Sequence, residues 1–124
     1  MLRIFTQDAW RAMKNAYIPK GKQVKGLPVG QCAYIHPCTD GISFAMTNLE
    51  DLTVENARAK WEGEMFHTCV PARPFKDWLS VTRKFTEVIT LELDKEREAL
   101  IVHADNTRAE FKCLNALEFP MNGY

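Results

Sequence analysis

The spacing of hydrophobic positions divides the chain into two helical segments and several strand-like segments. Residues 2–6 alternate between apolar and polar positions and predict a short strand. The apolar spacing then changes to three, four and seven residues, which predicts a helix that Thr6 caps and that Pro19 and Gly21 end. The buried side of this helix is predicted to carry Ala9, Trp10, Met13, Ala16 and Tyr17.

Three strands are predicted after the first helix. Residues 29–37 and 42–47 alternate in hydrophobicity, and Asp40-Gly41 between them is typical of a tight hairpin turn. In residues 52–61 the apolar positions move from one face to the other, which indicates a bulge or a bend. Between the helix and these strands, residues 19–26 predict a mobile basic loop.

The second half of the chain repeats this order of elements. Residues 64–70 predict a strand, and Pro71 suits the first turn of a second helix. That helix is predicted to bury Phe75, Trp78, Leu79, Thr82 and Phe85. Three further strands are predicted at residues 87–94, 98–104 and 107–114.

The chain therefore reads β-α-β-β-β twice, with halves near 1–62 and 63–124. Two helices that cover antiparallel strands predict an α+β fold, and we expect residues 1–124 to form a single domain.

Composition excludes several classes of protein. A chain of 124 residues can bury its own core without disulfides, and its 46% hydrophobic and 26% charged residues exclude a disordered protein. No apolar run approaches the ~20 residues that cross a bilayer. The first residues lack the apolar stretch of a signal peptide, so we expect a cytoplasmic protein with no membrane partner.

The sequence contains no recognisable catalytic or cofactor motif. It lacks glycine-rich phosphate loops, the zinc-protease motif and the nucleophile-elbow motif, so we expect neither an enzyme nor a cofactor. Cys32, His36 and Cys38 would share one face of a strand, but Cys32 and His36 would be ~13 Å apart and a fourth ligand is lacking. We expect no metal site and reduced, structural cysteines.

Charge is distributed unevenly, although 16 basic and 16 acidic residues cancel. Residues 7–26 carry a net charge of +4 and residues 73–84 carry +3, which leaves −7 on the strand-rich remainder. Two basic helix faces opposite apolar stripes predict a surface that contacts phosphates without reading bases. The predicted DNA-contacting residues are Arg11, Lys14, Lys20, Lys22, Lys25, Arg73, Lys76, Arg83 and Lys84.

Five short motifs occur along the chain: Leu27-Pro28-Val29, Thr47-Asn48-Leu49-Glu50, Val70-Pro71-Ala72-Arg73, Arg108-Ala109-Glu110-Phe111 and Phe119-Pro120. In order and spacing they resemble motifs of the bacterial sliding clamps, the beta subunit of DNA polymerase III. The resemblance implies the DNA-clamp (processivity) fold, a role in DNA replication, and double-stranded DNA as a partner.

The resemblance covers only the first of the family's three domains. In the family, two chains close a ring of six domains around duplex DNA, and the domains join by pairing their edge strands. The chain is then either a stand-alone clamp-like protein or a fragment of a longer clamp. As a stand-alone protein it is by this resemblance expected to form a closed homo-oligomer of six. The family's pocket for polymerase and clamp-loader peptides lies between its second and third domains and has no counterpart here. Asn48 and Glu110 replace an aspartate and an arginine of the family.

The sequence leaves two functions open. The first is a non-enzymatic, clamp-like protein that binds DNA and assembles through its sheet edges. The alternative is an interaction module that docks on a host clamp or another replisome protein and regulates it without encircling DNA. The mass in solution separates them, because a ring predicts a hexamer and a docking module predicts a monomer or dimer.

Overall fold

A computed structural model describes residues 1–23 and 28–114 of the chain. Lys25, Leu27 and Phe119-Pro120, which the sequence analysis singled out, lie outside the described residues. Within these ranges the helices and strands are β1 Leu2–Phe5, α1 Thr6–Ala16, β2 Cys32–Cys38, β3 Gly41–Thr47, β4 Leu52–Arg58, β5 Lys60–Trp61, β6 Thr68–Pro71, α2 Ala72–Thr82, β7 Val88–Asp94, β8 Ala99–Ala104 and β9 Thr107–Lys112.

The strands form two antiparallel sheets, one in the order β5-β1-β7-β8-β9 and the other in the order β4-β3-β2-β6. The first strand of residues 1–62, β1, pairs with β7 of the second half, and the first strand of residues 63–124, β6, pairs with β2 of the first half. Ile4 of β1 lies opposite Ile89 of β7, and Val70 of β6 lies opposite Ala33 of β2. The predicted fold class, two helices packed on two antiparallel sheets, is confirmed.

One hydrophobic core joins both sheets to both helices. Phe75 of α2 is fully buried, and its ring centroid lies 6.3 Å from that of Phe44 in β3 and 5.3 Å from that of Phe111 in β9. Because β3 and β9 belong to different sheets, this one side chain connects the two halves of the fold. Neither helix of the described ranges is long and apolar enough to cross a membrane.

The predicted bend in residues 52–61 is confirmed at Ala59. The chain leaves β4, which pairs with β3, and enters β5, which pairs with β1 in the other sheet. The indole Nε1 of Trp61 donates a hydrogen bond of 2.9 Å to the carbonyl oxygen of Gly41 at this crossing. The phase change in the sequence therefore marks the point at which the chain passes from one sheet to the other.

Both helix starts differ from the sequence prediction. Phe5, not Thr6, occupies the position before α1, and Thr6 is buried with its amide donating to the carbonyl oxygen of Glu87 at 2.8 Å. Pro71 is the last residue of β6 rather than a residue of the helix. In both places a strand runs directly into a helix, so no linker residue is present to provide a side-chain cap.

Phe85 was predicted to be buried and is 77% exposed. Helix α2 ends at Thr82, so Phe85 lies beyond the helical spacing that placed it on the buried side. Two strands also begin later than predicted. Residues 28–31 form a 3-10 turn, so β2 begins at Cys32, and β6 begins at Thr68.

The described part of the basic loop is held by hydrogen bonds. Lys20–Lys22 form a 3-10 turn, and the Gln23 side-chain nitrogen donates to the carbonyl oxygen of Ile18 at 2.9 Å. The side-chain nitrogen of Asn48 donates to the carbonyl oxygen of Lys22 at 3.2 Å. These bonds connect the turn to Ile18 and Asn48, and the mobility of the loop stays a prediction.

Candidate nucleic-acid interface

The two helices lie side by side and run antiparallel. Arg83, which follows α2, places its Nη1 3.3 Å from the side-chain oxygen of Gln7 at the start of α1. Lys76, in the middle of α2, lies over the ring of Tyr17 at the end of α1. The exposed side of this pair, which we call the helix-pair surface, is formed by Gln7, Trp10, Arg11, Lys14, Tyr17, Arg73, Lys76 and Arg83.

Three of the predicted DNA-contacting cations lie over two aromatic rings, in cation–π contacts. The guanidinium carbon of Arg83 lies 3.7 Å from the centroid of Trp10, and the Lys14 Nζ lies 4.9 Å from the same ring. The Lys76 Nζ lies 4.8 Å from the Tyr17 centroid. Cation–π contacts of this kind hold flexible side chains near one position, so the charges are partly ordered before a ligand arrives.

Sequence reasoning missed this role of Trp10 and Tyr17, which it assigned to the buried side. Both residues are half-buried and pack against the core while their rings contact cations. The helical spacing of four between Trp10 and Lys14 was the one local signal available. The contacts of Arg83 with Trp10 and of Lys76 with Tyr17 join residues that are far apart in the sequence, so no local sequence pattern indicates them.

Acidic neighbours partly neutralise one side of the surface. Arg11 pairs with Asp8, and Asp77 lies 3.7 Å from Arg73 and 3.4 Å from Lys76. Exposed ion pairs of this type contribute ~0–1 kcal/mol, so a phosphate competes effectively for their cations. Among the described residues, the ion pairs include none of Lys14, Lys20, Lys22 and Lys84.

The structure places seven of the nine predicted residues on the helix pair or at its two ends, whereas Lys22 lies in a turn whose backbone contacts Asn48. Lys20 shares a groove with Tyr17 and Arg73 at one end. Lys84 shares a groove with Gln7 and Arg83 at the other end. Both lysines are exposed, as is Lys22, and the ninth residue, Lys25, lies outside the described ranges.

Arg83 differs from the other cations because it is half-buried. Its Nε is fully buried and has no hydrogen-bond acceptor among the described residues. Its contacts with Trp10 and Gln7 therefore give it a packing role as well as a charge. A substitution of Arg83 would change both, whereas Lys14 is exposed, so a substitution there tests mainly the charge.

Basic residues on the tip between β7 and β8 provide a contrast. Lys95 pairs with Glu64 at 3.1 Å, and Arg97 makes two contacts of 2.8 and 2.7 Å with the carboxylate of Glu110. Arg108 also donates to Glu110. Glu110 therefore pairs with one cation of the β7–β8 tip, Arg97, and with one cation of β9, Arg108.

The candidate metal ligands do not converge. Cys32 packs against Ala45 and Cys69 in a small cluster, whereas His36 stacks on Tyr34 with centroids 4.8 Å apart. Burial raises the pKa of Cys32 to about 11, so this thiol stays protonated, whereas metals bind the thiolate. Within the described ranges no three His, Cys, Asp or Glu side chains are placed to hold a metal ion. A metal-free protein stays a prediction that elemental analysis tests.

Cys38 is expected to be the only thiol that reacts rapidly in the native protein. Cys32, Cys69 and Cys113 are buried, as predicted, and burial raises the pKa of Cys32 and Cys113, which suppresses the reactive thiolate. Labelling with a maleimide dye should give one fast equivalent in the native state and four in denaturant. Cys38→Ser should remove the fast equivalent, and rapid labelling of a buried thiol would contradict this packing.

No family model matches the sequence, and no curated protein matches it. Solved structures do match. The chain superposes with a TM-score of 0.80 and 21% identity on DNA polymerase III subunit beta from Pseudomonas aeruginosa, over 98% of its length. The TM-score is 0.82 with 18% identity for the DNA polymerase sliding clamp from Caulobacter crescentus, over 97% of this chain.

The beta subunit of DNA polymerase III from Thermotoga maritima gives a TM-score of 0.79 with 19% identity, again over 97% of this chain. In all three comparisons the chain spans 32% of the matched protein, or about one third of its length. The predicted resemblance is therefore confirmed at the level of the fold: this chain has the fold of one domain of the bacterial sliding clamp, the DNA polymerase III beta subunit.

Proposed function

We propose that residues 1–124 form a single, non-enzymatic clamp-like domain that binds double-stranded DNA in replication and supports processivity. The observation that carries this proposal is the helix-pair surface, where cations from two antiparallel helices meet over Trp10 and Tyr17. The clamp-domain fold supports the same role. We expect the protein to act in the cytoplasm and to need no cofactor.

Binding through this surface would be independent of DNA sequence. Lysine and arginine side chains contact phosphate oxygens, which are alike at every base pair, and each neutralised phosphate releases counterions. Such contacts can be exchanged between neighbouring phosphates at little cost. The surface therefore suits a protein that stays on DNA while moving along it.

Assembly would occur through the open edges of the sheets. Within the described ranges β9 ends the five-stranded sheet and β4 ends the four-stranded sheet. An exposed strand edge is a template for pairing with another chain, and head-to-tail pairing of identical chains must close a ring or extend a filament. We infer a ring of six copies, the number of domains in the ring that the family resemblance implies.

Lys14→Gln is expected to weaken duplex binding and to flatten its salt dependence. Lys14 is exposed and has no acidic partner among the described residues, so its removal should take away about one phosphate contact. The slope of log affinity against log salt should fall by about 0.9. A fluorescence-anisotropy salt titration on a duplex of mixed sequence measures this slope.

The matched control is Lys95→Gln, which removes the same charge from the β7–β8 tip, where Lys95 pairs with Glu64. Its slope should equal that of the wild type. If Lys14→Gln and Lys95→Gln lowered the duplex affinity and the salt slope equally, binding would depend on total charge alone, which would contradict a localised surface. A monomer that binds no duplex even at low salt would favour the docking-module alternative.

A further inference from the structure

Two large apolar side chains stand exposed at the end of the helix pair that carries Arg83. Phe5 is 53% exposed and Phe85 is 77% exposed. Both line a groove of about 530 Å³ together with Gln7, Arg83 and Lys84. We call Phe5, Arg83, Lys84 and Phe85 the two-phenylalanine patch. Paired exposed aromatic rings next to cations are unusual on a protein surface and indicate a binding role.

The backbone that presents the two rings is well anchored. The amide of Phe85 donates to the carbonyl oxygen of Thr82 at 3.0 Å, and the amide of Thr86 donates to the same oxygen at 2.9 Å. The Thr86 hydroxyl donates to the carboxylate of Asp105 at 3.0 Å. Phe5 is the last residue of β1 and lies opposite Val88 in β7. The backbone that carries both rings is thus fixed by hydrogen bonds, so a ligand has only the two side chains to order.

The charges around the rings favour an anionic ligand. A second groove, of about 380 Å³, borders Phe5 on its other side. The groove that both rings line carries two cations, Arg83 and Lys84, and two acids, Asp8 and Glu87. The second groove carries three cations, Arg3, Arg58 and Lys60, and one acid, Asp40, so the net positive charge lies on the side of Phe5. Asp8 is already paired with Arg11 on the helix-pair surface. Positive charge next to flat apolar rings is the combination that binds unpaired nucleotides.

We propose that the two-phenylalanine patch binds single-stranded DNA, with the rings of Phe5 and Phe85 stacking on unpaired bases and the flanking cations contacting phosphates. The inference rests on the proposed function, because the patch continues the helix-pair surface through Gln7 and Arg83. With duplex on the helix pair and an unpaired strand on the patch, the two surfaces together would bind a junction between double-stranded and single-stranded DNA. The open, projecting rings suit flat bases better than they suit an inserted peptide side chain.

Fluorescence anisotropy with an oligothymidylate and a duplex, both of about 20 nucleotides per strand, tests the proposal. Phe85→Ala should raise the Kd for oligothymidylate by roughly 5- to 150-fold, the range for removing one stacked base, and leave the duplex Kd within about 2-fold. Phe5→Ala should act in the same direction. The control Met65→Ala removes an exposed apolar side chain from the segment between β5 and β6, next in sequence to Glu64, and should change neither Kd.

The outcomes separate this inference from the proposed function. An unchanged oligothymidylate Kd in the Phe5→Ala/Phe85→Ala double variant overturns the inference, whereas duplex binding that still depends on Lys14 leaves the proposed function standing. A loss of assembly mass in Phe85→Ala would assign the patch to a second copy of the chain and also overturn the inference. Thermal unfolding of each variant verifies that it is folded, since both side chains are exposed.

Discussion

Replacing Glu110 with proline is expected to convert the proposed six-copy assembly into monomers while the domain stays folded. The amide of Cys113 donates to the carbonyl oxygen of Glu98 at 2.8 Å, and β9 continues in this register along β8. Because hydrogen-bonded pairs alternate in an antiparallel ladder, Phe111 and Ala109 point their amides toward β8, and Glu110 points its amide toward the open edge. Proline at Glu110 therefore removes a donor from the edge and leaves the internal ladder intact.

Light scattering coupled to size-exclusion chromatography measures the result. We expect the wild type to elute near six times its 14.2 kDa chain mass and Glu110→Pro to elute as a monomer. Glu110→Ala is the matched control, because it loses the contacts with Arg97 and Arg108 but keeps the edge amide, and it should stay assembled. A wild type that is monomeric at high micromolar concentration would rule out the ring, and dissociation of both variants would assign assembly to the carboxylate.

Gly41→Ala is expected to be among the most destabilising single substitutions in this protein. Gly41 begins β3 opposite Arg58, and a Cβ atom there would lie 2.0 Å from the carbonyl oxygen of Ala57 and 2.8 Å from the amide nitrogen of Ala59. Both contacts are with backbone, so they cannot be relieved by moving a side chain. Because the chain crosses between the two sheets at Ala59, relief would require separating β3 from the crossing.

We expect the free energy of unfolding to fall by more than about 4 kcal/mol in Gly41→Ala, a size reserved for severe steric or packing defects. Urea denaturation followed by circular dichroism measures it. Gly21→Ala provides the control, because no atom lies within 4 Å of a Cβ at that position, and it should change stability by no more than about 0.5 kcal/mol. Similar stabilities for the two variants would show that the crossing tolerates displacement.

The sequence pattern determined those features that depend on neighbours along the chain. Alternation located β3 and the three strands after α2, because successive side chains of a strand point to opposite faces of its sheet, although β3 is buried on both faces. The Asp40-Gly41 signal also located the hairpin, although its turn residues are Thr39 and Asp40, where Asp40 has a positive φ of 66°, and Gly41 already pairs with Cys38. Charge counting found the two basic helices, because a helix buried on one side leaves its cations on the other.

Features that depend on distant contacts could not be read in this way. Pairing of β1 with β7 and of β6 with β2 joins residues far apart in sequence through backbone atoms, which every residue type provides. The positions of Arg83 over Trp10 and Lys76 over Tyr17 follow from the antiparallel packing of α1 on α2. Sequence reasoning consequently found the cations and missed the rings that hold them.

The sequence alone thus determined the order of elements, the α+β class and the concentration of positive charge on two helices, because each is encoded by periodicity or composition within a short stretch. Only the tertiary structure decided that the halves exchange their first strands, that the two basic faces form one surface, and that Phe5 and Phe85 stand exposed beside its cations. These outcomes depend on which apolar faces pack together and on where α2 ends. Both are settled by the free energy of the whole core rather than by any local segment.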